Sequence, residues 1–190
     1  MSNKGNRINI KEIIISAVAL AVISGGVTAA LAATNALTEQ TIAKANQKAE
    51  TESRQQVINA DSFEKQSLTD DGQEVVYYKA VKDGELAGYV FTVSSAGKSS
   101  GLVVMTGISA DGGITGVTVT DDNETAGYLD MIREAGFFKR FLGRDASEKF
   151  YLGKNIDGVS HATKTSKGIT EGVNRAVDLF NKYLKGGQEG

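Results

Sequence analysis

The chain has no cysteine and no proline, and it has one histidine, His161. The missing thiols exclude disulfides, thiolate metal sites, iron–sulfur ligation and cysteine nucleophiles. They do not set the compartment, because a thiol-free chain can fold on either side of a membrane. A lone histidine leaves little for a zinc site or a Ser-His-Asp triad. Strong charge of one sign is lacking too. The formal net charge is −2 over 190 residues, and the basic residues are scattered, so no nucleic-acid partner is expected. The absence of proline has no functional reading.

What is present begins with a long uncharged run. No charged residue lies between Ile13 and Thr38. The strongly apolar part, Ile13 to Ala33, would measure about 32 Å as a helix, which matches a hydrocarbon core of about 30 Å. Lys4, Arg7 and Lys11 precede it, and the next basic residue is Lys44. The positive-inside rule then puts the N-terminus in the cytoplasm and the remainder outside. Ala30-Leu-Ala32 has the small-x-small form of a signal-peptide cleavage site. The apolar run exceeds the roughly 7–15 residues of a signal core, which favours a retained, single-pass anchor. No ionisable residue lies inside the run, so its own side chains are not expected to relay protons or ions.

Residues 39–60 are polar and rich in helix formers, and they read as a stalk. Strand-like sequence begins near Val75. Val75–Val81 and Leu86–Val93 flank Asp83-Gly84, a strong hairpin signal. Gly101–Ile108 and Ile114–Thr120 flank Asp111-Gly-Gly113. Period two in the last of these sets Ile114, Gly116, Thr118 and Thr120 against Thr115, Val117 and Val119. Four strands in two hairpins are expected. Tyr128, Leu129, Ile132 and Ala135 share a helical face, and Phe137, Phe138 and Phe141 read as core. The final helix carries Ile169, Val173, Ala176, Val177, Phe180 and Leu184 on one stripe. Ser166 is its expected N-cap, with Glu171 in or just after the first turn and Gly186-Gly187 beyond the end. The fold class is α+β. Residues 1–38 form a cytoplasmic N-terminus and transmembrane anchor, 39–72 a helical stalk or linker, and 73–190 a domain with an antiparallel sheet and flanking helices.

The densest chemistry lies in Asp157-Gly-Val-Ser-His-Ala-Thr-Lys-Thr-Ser166, an acid, a glycine and four hydroxyls just before the last helix. A helix N-terminus attracts phosphate through its first amides and its dipole. Thr163, Thr165 and Ser166 are placed there. Gly158 would allow a sharp turn or a close ligand approach, and Asp157 could accept from loop amides or orient a hydroxyl. Taken alone, the pattern also fits a helix cap.

Asp157-Gly-Val-Ser-His-Ala-Thr163 resembles the flavinylation motif of the FMN-binding domain family, Asp-Gly-x-Ser/Thr-Gly/Ser-Ala-Thr, and Thr165-Ser166 continues the match. Asp121-Asp-Asn-Glu-Thr-Ala-Gly127 resembles the His-x-Glu-Thr-Pro-Gly segment of the RnfG family, the G-type subunits of Rnf complexes. Gly101-Leu-Val-Val-Met-Thr-Gly-Ile-Ser-Ala-Asp-Gly-Gly-Ile-Thr-Gly-Val117 is similar to the hairpin before that segment. The resemblance spans roughly residues 5–186. The related C-type component of the sodium-pumping quinone reductase is typically longer. Three positions depart: His161 stands where the motif has a small residue, Ala126 replaces a proline, and Tyr128 replaces a leucine.

The resemblance implies FMN bound covalently, through a phosphoester to Thr163. Asp157, Gly158, Ser160, Ala162, Thr165, Ser166, Glu124, Thr125 and Gly127 would surround it. It implies a redox subunit of an ion-translocating ferredoxin:NAD oxidoreductase, with other complex subunits as partners and no complete active site in this chain. A transferase using FAD and magnesium would attach the flavin, releasing AMP. A stand-alone anchored flavoprotein, the related C-type subunit of the sodium-pumping quinone reductase and a non-enzymatic surface protein are the alternatives. No metal or catalytic side chain is expected.

Overall fold

The structure is a computed structural model, and it describes residues 10–97, 101–122 and 127–186. The chain divides into two compact units, residues 1–48 and 49–190. Helix α1, Ile10–Val57, begins in the first unit and ends in the second.

In the first unit, Ile13–Thr34 is long and apolar enough to cross a membrane. Its large side chains, among them Ile15, Leu20, Val22 and Leu31, are exposed. In water that surface would be costly, and in lipid it is at home. The hydroxyls of Thr28 and Thr34 donate to the carbonyls of Ser24 and Ala30 at 2.8 and 2.9 Å. They thereby bring no unsatisfied polar group into an apolar medium.

The second unit is built on five antiparallel strands in chain order: β1 Ser62–Asp70, β2 Gln73–Lys82, β3 Glu85–Ala96, β4 Gly101–Ser109 and β5 Ile114–Asp122. Asp71-Gly72 and Asp83-Gly84 close the first two hairpins. Both residues of each pair have positive φ, between 49° and 82°, as two-residue hairpin turns that follow the strand twist require. The sheet therefore has five strands where four were expected. β1 hides in the sequence because it is an edge strand with little apolar content, chiefly Phe63 and Leu68 among charged and polar residues. Edge strands are commonly blunted in this way.

Two short helical segments follow, α2 at Tyr128–Glu134 and a 3₁₀ segment at Phe137–Phe141. The expected aromatic core is found here, with Phe138 only half-buried at its edge. Phe137 and Phe141 are fully buried, and Phe141 meets Phe137 and Phe150 edge-on at 5.5 and 5.4 Å. Helix α3, Thr163–Tyr183, lies across β3 and β4. Its apolar stripe is buried as expected, apart from Leu184, which is only partly covered. Gly168 and Gly172 let it sit close. A Cβ at Gly168 would stand 2.2 Å from the Ala96 carbonyl oxygen, and one at Gly172 would stand 2.7 Å from Val104 Cγ2.

The back of the sheet has its own small core of Val57, Ile58, Ala60, Ala80, Val90 and Met105. The end of α1 seals it. Gly107 and Gly116, paired across β4 and β5, form the seat for Val57. The next pair along is Ile108 with Ile114, so Thr115 is an extra residue in β5. That bulge corrects the simple alternation read from sequence. Ile114 joins Val117 and Val119 in the main core instead of facing away from them, as an inserted residue reverses the side-chain sense of a strand. Thr115 turns its hydroxyl to the Val57 carbonyl at 2.6 Å.

Candidate functional site

Helix α3 begins at Thr163, four residues earlier than a Ser166 cap would place it, and Ala162 is its N-cap. Ser166 has a different task. It is fully buried, its Oγ accepts from the Val159 amide at 3.1 Å, and it donates to the Ala162 carbonyl at 2.9 Å. One hydroxyl inside the helix thus holds the loop that precedes it. Glu171 accordingly falls well beyond the first turn, and that turn contains no acidic residue.

The N-terminus of α3 has no side-chain cap. The Ser166 amide makes the first i to i−4 bond, to Ala162 at 2.8 Å, so Thr163 and Lys164 precede the helical ladder. First-turn amides point out of a helix and favour negative charge. Most helix starts satisfy them with an Asp, Ser or Thr cap. Here a lysine occupies the first turn, against the dipole. That is a poor arrangement for an isolated helix and a good one for a bound anion.

Tyr128, His161, Ala162, Thr163, Lys164 and Thr165 line a pocket of about 230 Å³ at this terminus. Thr163, Lys164 and His161 are exposed, whereas Ala162 and Thr165 are buried in its wall. Thr163 therefore stands at the exposed start of the helix. Asp157, Gly158 and Ser160 are exposed on the approaching loop. Gly158 does not supply the turn expected of it. Its φ is not left-handed, and an added Cβ would make only ordinary contact with Leu152, at 3.4 Å. The turn is made at His161, whose φ is +65°. Gly127, at φ +91°, precedes α2 and so stands next to the pocket residue Tyr128. Glu124 and Thr125 lie outside the described residues.

Two contributors had no local signal in the sequence. Arg140 in the 3₁₀ segment donates from Nη1 to the carbonyl of Asp157, with Gly158 O at 3.5 Å. Asn174 of α3 holds both the amide and the carbonyl of Phe150 at 2.8 Å. Each reaches a main-chain group distant in sequence, a relation that no spacing rule reveals. Lys164 was legible in principle, since it lies inside the motif.

The sequence profile of the FMN-binding domain family matches residues 97–178, which include β4, β5 and the α3 terminus. The chain is 33% identical to the G component of the Na(+)-translocating ferredoxin:NAD(+) oxidoreductase complex of Acetobacterium woodii, over 87% of this chain and 90% of that one. It is 30% identical to the G component of the ion-translocating oxidoreductase complex of Methanosarcina acetivorans, over 90% and 96%. The G component of the proton-translocating ferredoxin:NAD(+) oxidoreductase complex of Clostridium ljungdahlii is 27% identical, over 68% and 70%. Among solved structures, Shewanella oneidensis NqrC aligns with a TM-score of 0.47 and 21% identity, over 65% of this chain and 67% of that one.

Proposed function

The chain belongs to the RnfG family, the G-type subunits of ion-translocating oxidoreductase complexes, and on that premise we propose that it relays electrons through FMN esterified to Thr163. The electrons pass between ferredoxin and NAD within a membrane complex, and this chain holds one relay. When bound, the isoalloxazine accepts and donates the electrons, while the protein fixes its position and surroundings. The chain's partners are the other complex subunits, which supply the ferredoxin and NAD sites.

One observation carries the assignment of Thr163. It is an exposed hydroxyl at the uncapped start of α3, at the mouth of a pocket, with a lysine beside it and no acid in the turn. A phosphoester there receives the helix amides and the charge of Lys164. Tyr128 offers an aromatic wall, and Ala162 with Thr165 forms the floor. The pocket, at about 230 Å³, is smaller than the roughly 300–1,000 Å³ typical of sites that retain a ligand by enclosing it. A covalent bond removes the need for enclosure. Glu124, Thr125 and Gly127 belong to the same site in this reading, with Asp157, Gly158, Ser160 and Ser166 shaping the loop.

In this reading a separate flavin transferase attaches the group from FAD. Lys4, Arg7 and Lys11 keep the N-terminus in the cytoplasm, and the flavin domain lies outside as the product of a single pass. Residues 1–38 are the anchor region. The flavin domain reaches back past residue 73 to include β1 and the end of α1.

Intact mass of the protein from its native membrane, with flavin fluorescence after denaturation, tests the reading. A mass gain of one FMN phosphoester, mapped to the peptide containing Thr163, is expected. Thr163→Ala abolishes that gain and leaves the melting temperature within a few degrees of wild type. A flavin retained in the Thr163→Ala protein, or found on Thr165, moves the acceptor.

A further inference from the structure

We propose that Arg140 is a positioning residue that ties the two walls of the flavin pocket together and so sets the surroundings of the attached ring; this rests on the reading that Thr163 carries the flavin. One wall is the loop running from Asp157 into α3, which brings His161, Ala162 and Thr163. The other is α2, which brings Tyr128. The guanidinium of Arg140 meets main-chain carbonyls on both. Nη1 donates to Asp157 O and lies 3.5 Å from Gly158 O, and Nη2 lies 3.4 Å from Ala135 O at the C-cap of α2.

The root of this side chain is fixed. Its neighbours Phe137 and Phe141 are fully buried, and its guanidinium sits 5.5 Å from the Phe137 ring centre. The fork of donors suits the task. A guanidinium presents five N–H groups in one plane and keeps its charge at every accessible pH, whereas a lysine ammonium is a point charge. Carbonyl oxygens at a helix end carry excess negative potential, so a cation there is favoured. The other end of the loop is already anchored, through Ser166 to Val159 and Ala162. Arg140 therefore holds the half of the loop that Ser166 does not reach. Asp157 and Gly158 are exposed, and burial does not hold them in place.

The test compares wild type with Arg140→Ala, Arg140→Lys and, as a control, Arg144→Ala, whose guanidinium pairs with Glu148 at 2.7 Å and does not line the pocket, each as the full flavinylated chain in detergent. Intact mass gives the flavin occupancy. Iodide quenching of flavin fluorescence and visible circular dichroism report the setting of the ring. In Arg140→Ala, the quenching constant rises at least twofold and the visible dichroism weakens. Arg140→Lys falls between it and wild type, and Arg144→Ala matches wild type. Hydrogen exchange in a flavin-free Thr163→Ala background gives a readout independent of the cofactor. Adding Arg140→Ala there speeds exchange in peptides covering both 157–163 and α2, with the β3–β4 core unchanged.

An unmodified wild-type mass would overturn the acceptor reading and this proposal with it. Full modification with wild-type quenching and dichroism in both Arg140 variants would overturn only the role of Arg140. So would faster exchange spread evenly through the sheet, which marks general destabilisation. If Arg140→Ala does not fold, Arg140→Lys decides, because a wild-type ring environment in that variant contradicts the need for a fork.

Discussion

At His161 the backbone enters the left-handed region, with φ +65°. That conformation costs an L-residue with a Cβ roughly 1–2 kcal/mol, and it is free of steric cost for glycine. A glycine also gives the unfolded chain about 0.4–1 kcal/mol more entropy. His161→Gly is therefore expected to stabilise the domain by about 0.5–1 kcal/mol, read from urea unfolding, and a destabilised variant would show that the imidazole makes a compensating contact. The same residue explains part of what the motif could and could not reveal. Thr163 and Ala162 are legible as residues of a loop that runs into a helix, where a hydroxyl suits phosphate. The start of the helix is not legible. Thr163, Thr165 and Ser166 are all plausible caps by residue type, and what distinguishes them is a bond from Ser166 back into the loop. Gly158 reads as the flexible residue because it is glycine, yet strain falls on the histidine three positions later. Residue type states what a backbone can do and not what the surrounding bonds make it do.

At the scale of elements, the join between α1 and the sheet is backbone against backbone. A Cβ added to Gly116 would come within 2.5 Å of Val57 Cα, and one on Gly107 within 2.4 Å of the Val57 carbonyl oxygen. Backbone has no rotamer with which to yield. Gly116→Ala should cost about 1–3 kcal/mol, the usual range for overpacking, and should expose the end of α1 to limited proteolysis near Val57. An unchanged melting curve would mean that this end is not held as described. Arg54, one turn earlier, packs over the Tyr78 ring at 3.7 Å and pairs with Glu50, so the helix end is keyed to β2 as well. The strands with strong apolar content and Gly-containing turns are legible in sequence. β1 is not, despite the Asp71-Gly72 turn that follows it, because its own residues are mostly charged and polar and its pairing with β2 is what makes it a strand. The bulge at Thr115 is invisible for a related cause: it answers to Val57, a residue 58 positions away.

Across the whole molecule, one buried acid links the first hairpin to the last helix. Asp70 accepts from Lys182 at 2.7 Å, from Tyr183 at 2.8 Å and from Arg175. These bonds, that of Lys182 foremost, hold its carboxyl well below the ordinary value of 3.8, and Lys182 is held protonated in return. A proton then binds Asp70 more weakly in the folded state than in the unfolded one. The stabilisation is complete above about pH 5 and fades as the pH falls through the carboxylate range and below. Asp70→Asn should lower the melting temperature at pH 7, and the gap to wild type should narrow at pH 3; a gap independent of pH would assign the loss to packing. The cysteine-free chain also permits a direct test of orientation. Ser147→Cys should react with an impermeant maleimide added to intact cells, and Ser2→Cys should react only after lysis. The opposite pattern would invert the anchor. The order of the elements has one more consequence. Each strand pairs with the one just before it, so the sheet can assemble from local contacts as the chain appears. Its main hydrophobic face stays wet until α3 packs on it, and α3 follows every strand in the order of the described elements. Thr163 opens that helix. The hydroxyl proposed as acceptor therefore comes into position only when α3 has packed on the sheet, so a flavin on Thr163 would mark molecules whose sheet and last helix have come together.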